Sequence, residues 1–133
     1  MRVGTQEPKV ATKRDPKVRY RQFLKLAVEN KLVWGLYRDG WALSRDEKGQ
    51  TTFPLWAERE LAELRAKGPW QGYEVAEIPL EDLLDQLLPQ LARDGLKAGI
   101  SPGVDEAPLA PSIAQLILDL EHEIDPSSSD DNA

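Results

Sequence analysis

A chain of 133 residues with 41% hydrophobic and 30% charged side chains is composed like an ordinary soluble domain, and no apolar run approaches the roughly 20 residues that cross a bilayer. The lack of cysteine excludes disulfide staples and thiolate chemistry and points to the cytoplasm. The net charge of −6 is uneven: residues 1–22 hold seven Lys/Arg and two Asp/Glu, residues 23–133 hold ten and twenty-one. Such an acidic body repels nucleic acid and suits a basic partner.

The first fifteen residues, polar and basic with no apolar core for a secretory leader, read as a flexible arm. Residues 126–133 read as a disordered acidic tail, which leaves 16–125 as a single domain. Tyr20, Phe23, Leu24, Ala27 and Val28 recur at helical spacing, predicting a helix over 17–30. Leu32 to Tyr37 alternates as a buried strand, and Asp39-Gly40 is a strong turn dipeptide before Trp41–Ser44. A second polar turn, Asp46 to Gly49, returns the chain into Gln50–Phe53. The three segments predict an antiparallel meander, with Pro54 as its stop.

Residues 57–67 predict a short helix with Leu61 and Leu64 inward, closed by Gly68. Tyr73–Ile78 predicts a fourth strand. Pro79 then opens a helix whose apolar stripe is Leu80, Leu83, Leu84, Leu87, Leu88 and Leu91, with Pro89 inside it as a kink or break. Residues 96–101 predict a fifth strand. After a Pro/Gly-rich loop, Ser112 and Gln115 mark a capping box for a helix with Ile113, Leu116, Ile117, Leu120 and Ile124 on one face. The order implies an α+β fold: a mixed, mainly antiparallel five-stranded sheet, an N-terminal meander plus two strands after helices, packed with about four helices.

The run VWGLYRDGWAL, an acidic-Gly turn and then FPLW are joined by Trp70-Gln71-Gly72-Tyr73, Ile78-Pro79-Leu80 with Leu83, Leu88-Pro89-Gln90-Leu91, and Asp94-Gly95 before Ala98-Gly99-Ile100. In these motifs the chain resembles the small bacterial proteins of domain-of-unknown-function family 2750, over about residues 18–124. Ala57 departs from the family's usual proline, and the basic arm is longer. The resemblance implies a cytosolic domain with no established activity, cofactor or partner.

The chemistry available is sparse. His122 could meet Asp119 and Asp125 at helical spacing, but metal catalysis wants a second histidine and the sequence has only one. No Cys–His or Ser–His–Asp set is indicated, and Glu81 and Asp85 read as solvated. Gly95, Gly99 and Gly103 make no phosphate cradle. Catalytic residues, metal ligands and cofactors are therefore expected to be none. The aromatic set is the informative one. Trp41, Trp56, Trp70 and Tyr73, beside the acids Asp39, Asp46 and Glu47, form the candidate binding surface, while strand alternation puts Trp34 in the core and Tyr37 on the other face. The leading expectation is a non-enzymatic, cytosolic protein-binding domain of immunity or adaptor type, with a basic protein partner. It does not bind nucleic acid or membrane, and is a monomer or a homodimer paired through the leucine stripe or the last helix. The alternative is a small-molecule binder or enzyme with a pocket lined by Trp34, Trp41 and Trp56.

Overall fold

The computed structural model describes residues 15–45, 48–67, 70–102 and 109–126. The basic arm up to residue 14, Asp46, Glu47, Gly68 and the tail beyond Pro126 lie outside them. Helix α1 (Pro16–Asn30) begins one residue before the expected start. Asp15 accepts from the Lys17 N–H at 2.7 Å, and Pro16 stands where a helix needs no donor. It ends on Lys31, whose φ of 56° turns the chain into β1 (Leu32–Tyr37).

The five strands are present, but they do not form a meander. β1 pairs antiparallel with β4 (Glu74–Pro79), opposing Trp34 to Glu77 and Gly35 to Ala76. β2 (Ser44–Arg45) pairs antiparallel with β3 (Thr51–Leu55), and β3 pairs parallel with β5 (Lys97–Ile100). One bridge joins the two sheets: Trp34 and Trp56 exchange backbone bonds of 2.7 and 2.9 Å. The partner of β1 is thus a strand some forty residues away, and the local turn retains a single bridge, Tyr37 to Trp41.

Pro54 does not stop its strand; it sits within β3 opposite Gly99. Alternate residues of a strand aim their N–H groups at the same edge. Thr52 faces β2 and Trp56 faces β1, so Pro54 points into the gap between them, where no neighbour needs a donor.

Helix α2 (Arg59–Ala66) packs over β1 and β4. Its inward residue is Ala62, fully buried, with Leu61 beside it; Leu64, about 200° round the helix from Ala62, is 59% exposed rather than inward. The leucine-rich rod is unbroken. It runs through α3 (Leu80–Asp82), a π-helical stretch (Leu83–Leu87) and α4 (Leu88–Arg93). The Leu88 N–H bonds to Leu83 O, one residue further back than in an α-helix. This extra residue comes just before Pro89 and avoids the clash of its ring with the carbonyl four residues earlier. It also moves Leu88 into the core with Leu83, five positions away.

Helix α5 (Ile113–Ile124) starts as read: Ser112 Oγ accepts from the Gln115 N–H at 3.1 Å. The box is half-made, because the Gln115 amide turns instead to Asp119 Oδ1 at 2.9 Å. Ile113, Leu116 and Leu120 are buried, whereas Ile124, the last residue of the helix, is half exposed.

The main core takes Phe23, Leu24 and Ala27 from α1, Val33, Phe53, Leu55 and Ile100 from the strands, and the leucines of the rod and α5. A second, smaller cluster lies under α2: Leu36, Ala42, Trp56 and Ala62, flanked by Trp34, Trp70, Tyr73 and Val75. β1 feeds both, Val33 to one side and Leu36 to the other.

Across the main core, Tyr20 Oη donates to Asp119 Oδ2 at 2.5 Å, tying α1 to α5. Burial, followed by the bond to Asp119 and its charge, holds the Tyr20 phenol above its ordinary value. The folded state therefore binds the proton more tightly than the unfolded one. This contribution is complete below pH 10 and is lost as the pH rises further. Tyr20→Phe is expected to cost about 1 to 3 kcal/mol at neutral pH, as for a hydrogen bond to a charged group. Urea melts should show the wild type losing more stability than the variant between neutral pH and strong alkali; parallel losses would refute the assignment.

Candidate binding surface

Gly35 determines the geometry of the exposed aromatic residues. A Cβ at this position would lie 3.0 Å from Trp41 Cζ3, so the indole rests on the bare backbone of β1. Arg38, Asp39 and Gly40 reverse the chain to bring it there. Asp39 takes φ 58°, Arg38 N–H bonds to Gly40 O and Ala42 N–H to Leu36 O, both at 2.8 Å. The Trp41 ring meets Tyr37 edge-on, 5.2 Å between centroids, and tilts onto Phe53 at 5.5 Å. Fixed on three sides, Trp41 still exposes 37% of its surface, with Tyr37 at 45% and Leu43 at 48%. Asp39 is exposed at the rim of this ledge.

The other expected residues lie elsewhere. Neighbouring side chains on a strand point to opposite faces. Trp41 covers the Gly35 face, so Trp34 lies on the reverse, in the smaller cluster. Trp56 belongs to that cluster and is wholly buried, its Nε1 donating to Pro102 O at 3.1 Å; it offers nothing to a partner. Trp70 packs edge-on to Trp56 at 6.3 Å, under the Arg65 guanidinium at 5.7 Å, and Tyr73 is half-buried beside them. These rings fasten α2 and the turn after it. Asp46 and Glu47 lie outside the described residues. Trp34 and Trp56 are thus separated by β1 from Trp41, and the three do not line one pocket. An open hollow where β3 and β5 begin is bordered by Lys48, Gly49, Gln50, Lys97 and Ala110, without an aromatic ring.

Tyr37 completes the ledge and exposed Leu43 follows two residues after Trp41; neither was among the expected binding residues. A glycine inside an otherwise bulky strand was the available signal, since it marks where another group comes close. Asp119 is occupied by Tyr20 and Gln115, away from exposed His122. Among the described residues, no three His, Cys, Asp or Glu side chains gather as a metal would require. No helix among them is long and apolar enough to cross a membrane.

The architecture defines an α+β protein with an aromatic ledge on an acidic body. The chain belongs to DUF2750, a protein family of unknown function, whose family model matches residues 20–120. That stretch begins at Tyr20 and ends at Leu120, so it holds both partners of the α1–α5 tie. No curated protein matches the chain.

Proposed function

We propose that this protein is a non-enzymatic cytosolic binding domain that recognises a basic protein partner through Tyr37, Trp41 and Leu43. An immunity or adaptor role is the concrete form. The observation that carries the reading is the immobilised, part-exposed indole of Trp41. Rigid aromatic rings half sunk in a surface lose little entropy on binding and dominate interface energetics. Asp39 at the rim and the net charge of −6 favour positive charge on the partner and speed its approach.

The test uses the immobilised protein in a native lysate of its source, followed by titration with the purified captured protein. Leu43→Ser and Tyr37→Ala are expected to weaken binding by about tenfold or more each, in line with loss of a hot-spot contact. The melting temperature should be unchanged for Leu43→Ser and slightly lowered for Tyr37→Ala, which also gives up its edge-on contact with Trp41. Raising the salt should slow association. A captured protein that binds both variants as well as the wild type would overturn the reading, as would no saturable binding at all.

A further inference from the structure

Among the described residues β4 has an open edge, and its ladder with β1 fixes which groups face it. Trp34 exchanges its backbone bonds with Trp56, and Leu36 O accepts from Ala42 N–H, so both residues face away from β4. In an antiparallel ladder the residues opposite them, Glu77 and Val75, then belong to non-hydrogen-bonded pairs. The bonds to β1 are made by Glu74, Ala76 and Ile78. The N–H and C=O groups of Val75 and Glu77 point outward, and no other described strand pairs with β4.

We infer that β4 is a strand-addition site, completed by an extended, basic segment of the protein partner that pairs with Val75 and Glu77. This rests on the protein-binding reading above and gives it a mode. A residue added opposite Ala76 would send its side chain to the Gly35 face. There Gly35 is already covered by the Trp41 ring and small Ala76 is only half-buried beside it, so an aromatic or branched side chain would lie over Ala76 toward that ring. Residues opposite Val75 and Glu77 point to the α2 face, where Glu77 is exposed. Arg59, the α2 cation that senses Glu77, is already held by Glu63 at 2.9 Å. Lysine or arginine in the added strand would meet Glu77 there, while Glu74, three positions away, projects to the opposite face. A second copy of this chain is the poorer occupant, because antiparallel edge-to-edge pairing would bring Glu77 of both copies onto one face at diagonal or opposed positions.

The probe is a synthetic peptide that alternates lysine and valine about a central phenylalanine, with a glutamate-for-lysine peptide as control. Amide exchange in the free protein should be fast at Val75 and Glu77 and slow at Ala76 and Ile78. The basic peptide should slow Val75 and Glu77 by at least about tenfold, and the acidic peptide should not. Glu77→Pro removes one outward donor at a position where an edge strand tolerates proline, and should abolish binding; Val75→Pro serves if the first variant melts early. The proposal is overturned if Val75 and Glu77 are already protected in the free protein. It also falls if the basic peptide fails to bind, binds without slowing them, or binds the proline variant equally. A captured protein lost from Tyr37→Ala but kept by Glu77→Pro would retain the aromatic surface and remove strand addition.

Discussion

Replacing Trp56 by alanine is expected to cost about 3 to 5 kcal/mol, the range for emptying a buried aromatic site. Trp56 is inaccessible to solvent, fills the smaller cluster against Trp70, and bonds through its indole to Pro102 O. Truncation leaves both a void and an unpaired carbonyl. Small domains have about 5 to 15 kcal/mol in total, so the loss should be plain in a denaturant melt as a lower midpoint with little change in slope. Trp56→Phe keeps most of the bulk and sacrifices the hydrogen bond, and should fall between the two. A loss below about 1 kcal/mol for the alanine variant would mean that the cluster closes over the void.

The second large effect concerns the π-helical stretch. Deleting exposed Gln86 would let the Leu88 N–H reach Leu83 O as an ordinary α-helical bond, with Leu83 and Leu88 still facing the core. The deletion also brings the Pro89 ring against the carbonyl of Leu84, now four residues before it. The single deletion is therefore expected to cost about 3 kcal/mol, the penalty of proline inside a helix. Pro89→Ala added to the deletion should recover most of that loss. Pro89→Ala alone should change stability little, because the extra residue is still present. Melting temperatures of the three variants decide the matter. If the double variant is as unstable as the deletion, the bulge is not paired with the proline.

Elements of local origin were legible in the sequence. The helical spacing of Tyr20, Phe23, Leu24 and Ala27 in α1, the Ser112 cap and the leucine periodicity each act within a turn or two of helix, and the structure keeps them. Pairing of distant strands was not legible. Asp39-Gly40 does reverse the chain, yet the long edge of β1 goes to β4, because burying Val33 and Leu36 on opposite faces matters more than sequence proximity. Pro54 was misread for a related reason: which edge a residue faces depends on neighbours that arrive from far along the chain. Leu64 shows the limit of hydrophobicity alone, since the close approach of α2 to β1 and β4 takes Ala62 inward instead. The ledge was half visible. Trp41 and Asp39 stood out beside the turn, while the burial of Trp56 depended on the strand arrangement.

The bond between Tyr20 and Asp119 spans 99 positions of the chain. Phe23 and Leu24 near the start share one core with Leu116 and Leu120 near the far end. On the ribosome, α1 and the strands emerge long before α5, so the part of the α1 surface that α5 covers stays open until α5 has left the exit tunnel.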